Sequence, residues 1–204
     1  MYKEDQFHIK DEKILFKELE EEARAFNGYE KIFIADGDAL CLSTDRLLRL
    51  MAKLRELFPF CQRIGAYATA LDVNRKSHED LKRLKEAGLG ILYIGLETGS
   101  NELLKKIKKN MKAEDYLAAS EKLHQVGIAQ SVTLITGLAG AGQSIQYAQE
   151  TARVVSQMNP DYVSYLTLML DEGSELLEDY RQGRFQPAGP DEALEEIYVF
   201  LDHF

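Results

Sequence analysis

The sequence contains no tryptophan and only two cysteines among its 204 residues. Cys41 and Cys61 are too few and too far apart for a disulfide framework or a cysteine-rich metal site. Such sparse cysteine is typical of a reducing compartment, so we expect a cytoplasmic protein. The four histidines lack the spacing of known metal-ligand motifs. The sequence therefore predicts no metal site of its own.

Positive charge and long apolar runs are also scarce. The 25 lysines and arginines against 34 aspartates and glutamates give a formal net charge of −9. Because an acidic surface repels a phosphate backbone, nucleic-acid binding is not expected. No apolar run approaches the roughly 20 residues that span a bilayer, and the first five residues do not resemble a signal peptide. We therefore expect no membrane association.

What the sequence does contain is a regular alternation of two patterns. Short apolar, β-branched segments recur at intervals of about 30 residues, the length of one βα unit; they lie at 31–35, 63–69, 90–97, 131–136 and 162–170. Apolar residues three or four positions apart fill the intervals and predict helices. Near-continuous apolar strands are typical of a parallel sheet that is covered by helices. The pattern predicts an α/β fold, a partial TIM-barrel-like (β/α) barrel that forms one domain over residues 1–204.

The two ends of this predicted barrel differ. Residues 190–204 predict a closing helix, whereas the first predicted element is a helix at 11–26 with no strand before it. A βα barrel normally opens with a strand, so we expect the first strand to be lacking. The strand at 31–35 would then have an unpaired edge, through which two copies could form a dimer.

Polar residues follow several of the predicted strands, where the functional groups of βα barrels gather. Glu97 ends an apolar strand, and its carboxylate could accept hydrogen bonds from a ribose or could cap the following helix. Asp36, Gly37 and Asp38 follow the first strand; they could form a tight turn, hold a cation or bind an amino group. The residues alone leave these alternatives open.

A glycine-rich stretch, 137–142, follows the fourth strand and nearly matches the phosphate-binding motif G-x4-G-K-[ST]. Gln143 stands where that motif has its lysine. A neutral amide does not supply the positive charge that acts on the terminal phosphates, so nucleotide hydrolysis is not expected. A glycine turn that lets the backbone approach an adenine or a ribose is the favoured interpretation.

These strand ends together resemble one family. Residues 93–100, Tyr-Ile-Gly-Leu-Glu-Thr-Gly-Ser, and the lysine-rich segment 103–109 are similar to the fourth-strand region of radical S-adenosylmethionine (SAM) enzymes. The order of the other strand ends agrees, from the first helix to about residue 177. The group with the greatest similarity includes oxygen-independent coproporphyrinogen oxidases and tRNA-modifying methylthiotransferases.

The resemblance implies SAM as a cofactor and assigns each strand end to one part of it. The amino group would meet the turn after the first strand, which here departs from the Gly-Gly-Glu that is common in the family. The implied contacts are Asp36, Gly37 and Asp38 for the amino group, Thr69 for the methionine moiety, Lys109 for the carboxylate, Glu97 and Thr133 for the ribose, and Gly137 and Leu168 for the adenine.

The resemblance also implies a 4Fe–4S cluster, which the family holds with a CxxxCxxC motif. No such motif occurs in this sequence. We therefore expect a fragment of a radical SAM oxidoreductase or transferase, one that retains much of the SAM pocket, is inactive alone and generates a 5′-deoxyadenosyl radical only in its full-length parent. Its substrate is unknown. The alternatives are a non-catalytic barrel that binds a nucleotide or phosphate, and an interaction module.

Overall fold

The computed structural model describes residues 9–204. The first five residues, on which the signal-peptide prediction depends, lie outside this range. Helices and strands alternate along the chain, as the sequence predicts. The strands are β1 Lys31–Ile34, β2 Arg63–Ala68, β3 Leu89–Glu97, β4 Ala129–Thr136 and β5 Tyr162–Thr167. The helices are α1 Glu12–Ala25, α2 Thr44–Leu57, α3 Ala70–Arg75, α4 His78–Ala87, α5 Asn101–Lys106, α6 Ala113–Val126, α7 Ser144–Met158, α8 Glu175–Arg181 and α9 Pro190–His203, with a 3-10 turn at Ala39–Cys41.

The five strands form one parallel sheet in the order β1-β2-β3-β4-β5. This topology confirms the predicted α/β fold. β1 and β5 lie at opposite edges, so the barrel is not closed within residues 9–204. Dimerisation through the β1 edge stays a prediction.

The last strand is shorter than the predicted segment 162–170. β5 ends at Thr167, whose partner in β4 is Thr136, the last residue of that strand. Gly137 follows with φ +79°, which turns the neighbouring chain away from the sheet. Within residues 9–204, no strand therefore remains to pair with the chain beyond Thr167.

Local signals explain several helix boundaries. The Ser77 hydroxyl accepts a hydrogen bond from Asp80 N at 3.0 Å and caps α4. Gly88 and Gly127 end α4 and α6 in the left-handed region, with φ +114° and +71°. Because only glycine adopts this region without strain, each helix stops there and the chain turns into the next strand.

The two faces of the sheet have different environments. Leu92, Ile94 and Leu96 of β3 are buried beneath the helices. Tyr93, Gly95 and Glu97 of the same strand face the concave side and are half-buried. On that concave side the rings of Tyr67 and Tyr93 meet edge to face, with centroids 6.3 Å apart. The helix-covered face thus holds the core, and the concave face remains available to a ligand. No helix of residues 9–204 is long and apolar enough to cross a bilayer.

Candidate functional site

Because all five strands are parallel, their carboxyl ends lie along one edge of the sheet. The predicted site residues belong to this edge, except Thr133, which lies within β4, and Lys109, which follows α5. The structure brings six of them together as contacting or adjacent pairs: Glu97 with Lys109, Asp38 with Thr69, and Gly137 with Leu168.

Glu97 and Lys109 form an ion pair at the end of β3. Lys109 Nζ lies 2.9 Å from Glu97 Oε1 and 2.9 Å from the carbonyl oxygen of Gly95. The Lys109 side chain is 33% exposed and the Glu97 side chain is 18% exposed, so a ligand can reach both. A Cβ atom at position 95 would overlap Glu97 Oε1. Because glycine has no Cβ atom, the Glu97 and Lys109 side chains can pack directly against the backbone at position 95.

The backbone directs the Glu97 side chain to this place. The register between β3 and β4 shifts between Gly95 and Glu97, and Glu97 has φ +66°, an unusual value for a residue with a side chain. Such an irregularity re-aims a side chain at a strand end. The helix-capping alternative is not what the structure shows, since the carboxylate contacts Lys109 whereas Thr98 Oγ1 accepts the hydrogen bond from Ser100 N.

The Asp38 carboxylate makes hydrogen bonds within the protein rather than facing an open ligand position. Its Oδ2 accepts hydrogen bonds from Thr69 N at 3.1 Å and Thr69 Oγ1 at 2.8 Å, and its Oδ1 accepts one from Leu40 N at 2.9 Å. Burial, together with the nearby Asp72 carboxyl, raises the pKa of Asp38 to about 6. Asp38 therefore fixes Thr69 beside the 3-10 turn.

Asp36 and Gly37 are exposed and have φ +67° and +79°. These values are typical of a tight turn, so the turn interpretation holds for this pair. The Asp36 carboxylate accepts no hydrogen bond from any described residue, which leaves it open to an amino group or another cation. The turn and the binding interpretation are thus compatible.

The glycine-rich loop lies beside the residue that follows β5. A Cβ atom at Gly137 would lie 3.9 Å from Leu168 Cβ, and Leu168 N donates to the carbonyl oxygen of Thr136 at 3.1 Å. Thr133, four residues before Gly137, has its hydroxyl 3.3 Å from Ser164 Oγ on the concave face. Gly137 and Leu168 could border a flat ring, while Thr133 lies deeper in the sheet.

Three further residues belong to this region and were not predicted from the sequence. Tyr116 is buried, its hydroxyl donates to the carbonyl oxygen of Gly95 at 3.4 Å, and burial raises its pKa to about 12, with a smaller contribution from Glu97. Asp72 contacts Thr69, and Glu196 of α9 contacts Gly137. The spacing of Gly95 and Glu97, which share one strand face, is the only sequence signal that points to part of this arrangement.

The two cofactors implied by the resemblance fit this site differently. An ammonium has three N–H donors, and Lys109 uses two of them on described residues, so one remains for a carboxylate. Glu97 Oε2 accepts no hydrogen bond within residues 9–204 and can meet ribose hydroxyls. These groups fit SAM. No group of three or more His, Cys, Asp or Glu side chains in the described part of the chain could hold a metal ion, so those residues do not fit a 4Fe–4S cluster.

Two known proteins are similar to this chain in sequence. The chain is 26% identical to the heme chaperone HemW of Bacillus subtilis over 171 residues, which cover 83% of this chain and 44% of HemW. It is 27% identical to the tRNA uridine(34) acetyltransferase of Methanocaldococcus infernus over 124 residues, which cover 59% of this chain and 23% of that enzyme. This chain therefore spans less than half the length of either relative.

Solved structures confirm the predicted fold. Elp3 of Methanocaldococcus infernus superposes with a TM-score of 0.70 at 19% identity, over 94% of this chain and 51% of that one. Coproporphyrinogen III oxidase (HemN) from Escherichia coli, described as a radical SAM enzyme, gives 0.71 at 20% identity, over 93% and 44%. The sequence profile of the Radical SAM superfamily matches residues 2–155. This chain belongs to the radical SAM superfamily.

Proposed function

We propose that this chain binds SAM at the carboxyl ends of its strands and forms the SAM-binding part of a radical SAM enzyme, an oxidoreductase or a transferase. The ion pair between Glu97 and Lys109 is the observation that carries the proposal. A carboxylate with a free oxygen suits the two hydroxyls of a ribose, and an ammonium with a free N–H suits the carboxylate of the methionine part. One ligand that has both groups is SAM.

The other strand ends complete this assignment. Asp36, exposed in its turn, would bind the amino group, while Gly37 lets the backbone reverse there. Asp38 would act through Thr69, because Thr69 N and Thr69 Oγ1 both lie within hydrogen-bond distance of the Asp38 carboxylate, which fixes the wall beside the methionine part. The adenine would lie between the two loops that contain Gly137 and Leu168.

The proposed pocket does not by itself provide radical chemistry. SAM supplies a carbon-centred radical in this superfamily when a 4Fe–4S cluster reduces it, and three thiolates hold that cluster. The present sequence has two cysteines, of which Cys41 is exposed and Cys61 is buried. We infer that a polypeptide of these 204 residues binds SAM without cleaving it.

Substitution of Glu97 tests the proposal. Glu97→Ala should weaken SAM binding about tenfold or more, since hydrogen bonds to a charged group contribute about 1.5–3 kcal/mol. Isothermal titration calorimetry measures the dissociation constant, and thermal unfolding checks that the variant is folded. Glu86→Ala, an exposed change in the last turn of α4, is the matched control. Unchanged affinity in Glu97→Ala would show that the ribose assignment is wrong.

The alternative of a nucleotide- or phosphate-binding barrel has less support from the glycine-rich loop. Gly137 N and Gly142 N, which would have to face a phosphate, already donate to carboxylates of α9 at 2.8 Å and 2.7 Å. Carboxylates at these positions repel an anion. An interaction module, a dimer through β1 and a cytoplasmic location stay predictions.

A further inference from the structure

Glu196 is a buried acidic residue that is not among the proposed contacts of SAM. It lies on α9 and is 8% exposed. Its Oε2 accepts a hydrogen bond from Gly137 N at 2.8 Å and one from Thr136 Oγ1 at 3.0 Å. The side chain thus joins the C-terminal helix to the first residues of the glycine-rich loop.

The same part of the chain holds the loop at further points. Glu192, one helical turn before Glu196, accepts from Gly142 N at 2.7 Å. Ala141 N donates to the carbonyl oxygen of Gln186 at 2.8 Å. A Cβ atom at Gly140 would lie 2.9 Å from that same oxygen, so the two segments are in close contact. Both ends and the middle of the loop are therefore held by residues 186–196.

The loop needs such support because of its glycines. Gly137, Gly140 and Gly142 have φ values of +79°, +85° and +79°. Glycine loses more conformational freedom on ordering than any other residue, so a loop with three of them has a high entropic cost of order. Hydrogen bonds from the loop to carboxylates of a helix that is fixed elsewhere offset part of that cost. Phe200 of α9, which is 1% exposed and contacts Tyr165, provides the fixed point.

The choice of a carboxylate is itself informative. Burial raises the pKa of Glu196, and the hydrogen bonds from Gly137 and Thr136 act against this rise. A buried carboxylate is costly unless donors surround it, and a buried charge of this kind gives little net stability compared with a well-packed apolar side chain. Stability alone therefore does not explain why a polar side chain rather than an apolar one stands here; a requirement for an oxygen that accepts two converging hydrogen bonds does.

These hydrogen bonds end beside the proposed adenine position. Thr136, whose hydroxyl donates to Glu196, accepts a hydrogen bond from Leu168 N through its carbonyl oxygen. Gly137, whose N–H donates to Glu196, is adjacent to Leu168 and Ala188. A shift of Glu196 would therefore change the gap between Gly137 and Leu168.

We propose that Glu196 is a positioning residue, which sets the glycine-rich loop against Leu168 so that the loop is ordered before the adenine of SAM arrives. This inference rests on the proposed SAM site and deepens it. Glu192 supports the far end of the same loop. Preorganisation lowers the cost of binding without any direct contact between Glu196 and the ligand.

Two ligands separate the adenosine end of the site from the rest. SAM contacts the whole proposed pocket, whereas 5′-methylthioadenosine lacks the amino and carboxylate groups. Glu196→Ala should weaken the binding of both ligands by a similar factor of about ten, the order of one or two lost hydrogen bonds. Lys109→Ala should weaken SAM binding and leave 5′-methylthioadenosine nearly unchanged. Calorimetric titrations of the full chain measure all of these affinities.

Hydrogen exchange supplies a readout that does not depend on a ligand. The amide of Gly137 should exchange faster in Glu196→Ala, with a smaller change at the exposed neighbour control, Glu195→Ala. Glu196→Gln keeps an oxygen that accepts the same two hydrogen bonds, so its affinities should stay within about threefold of the unchanged chain. This variant also serves if Glu196→Ala does not fold.

The outcomes distinguish the two proposals. If the unchanged chain binds neither ligand, the proposed SAM site and this inference are both wrong. If it binds both ligands and Glu196→Ala alters neither their affinities nor the exchange at Gly137, only the positioning role is wrong. Equal losses in Glu195→Ala, or a Glu196→Gln variant as impaired as Glu196→Ala, would likewise overturn it.

Discussion

The contact between Asp38, Thr69 and Asp72 should make the stability of the chain depend on pH. Thr69 Oγ1 lies 2.8 Å from Asp38 Oδ2 and 3.0 Å from Asp72 Oδ2. One hydroxyl has one proton to donate. When both carboxyls are ionised, one of them faces the lone pairs of the hydroxyl oxygen. Protonation of Asp38 removes this repulsion and the charge repulsion between the two aspartates.

The pKa of Asp38 gives the direction and the size of the effect. It rises from 3.8 to about 6, first through burial and second through Asp72. The folded chain therefore binds a proton that the unfolded chain has released, and the resulting stabilisation is full below about pH 4 and lost as the pH rises through about 6. A shift of about two units corresponds to about 3 kcal/mol. Asp38 is partly exposed, so solvent screening reduces this to about 1.5 kcal/mol.

Asp72 titrates in a separate range. Burial would raise its pKa, but hydrogen bonds with Asp38, Thr69 and Arg75 lower it overall. The stabilisation from a carboxyl with a lowered pKa is present above its unfolded pKa and is lost as the pH falls through the folded value. Its contribution therefore changes below about pH 4, outside the range in which Asp38 acts.

Urea unfolding of the unchanged chain and of Asp38→Asn measures this effect. The difference in the free energy of unfolding between the two should change by about 1.5 kcal/mol between about pH 4 and about pH 7, in favour of the unchanged chain at the lower pH. Taking the difference cancels the titration of other carboxyls. Asp36→Asn, in the same exposed turn, is the control. A difference that does not vary with pH would refute the shared-proton reasoning.

Two further predictions concern the SAM site. Gly95→Ala should keep the fold, because the three atoms nearest the added Cβ belong to the flexible side chains of Glu97 and Lys109. It should displace that ion pair and weaken SAM binding about tenfold; unchanged calorimetric affinity would contradict this. Under anaerobic, reducing conditions with iron and sulfide supplied, the chain should form no 5′-deoxyadenosine from SAM, as followed by chromatography, because two cysteines do not supply the three thiolates of a cluster. Detection of 5′-deoxyadenosine would overturn that inference.

The fold could largely be predicted from the sequence because its determinants are local. Each strand is a short apolar run, and helix ends such as Ser77 and Gly88 have their signals within a few residues. The end of β5 could not be predicted in this way. Residues 168–170 are as apolar as a strand, yet β4 ends opposite Thr167, and no strand in the described part of the chain remains to pair with them.

The candidate site was predictable only in part. Parallel strands end at one edge, so Asp38, Thr69 and Glu97 could be assigned to a common region from the sequence. Their partners could not, because a sequence does not show which donor a carboxylate meets. Asp36 and Asp38 look equivalent in the sequence, yet one is exposed and the other holds Thr69. Glu196 lies 59 residues from Gly137, which it contacts, and no local pattern joins them.

The end of β3 gives the strongest physical argument for a ligand. Glu97 at φ +66° has a strained backbone, which costs about 1–3 kcal/mol in a residue with a side chain. Its partly exposed ion pair with Lys109 contributes about 1 kcal/mol or less. The arrangement therefore gives the fold no net stability, although a straight strand with an apolar residue at this position would avoid the strain. Strain of this kind is concentrated at binding sites, where it holds a group ready for a partner that is absent from the unbound chain. The balance of these energies favours a binding role for Glu97 over a structural one.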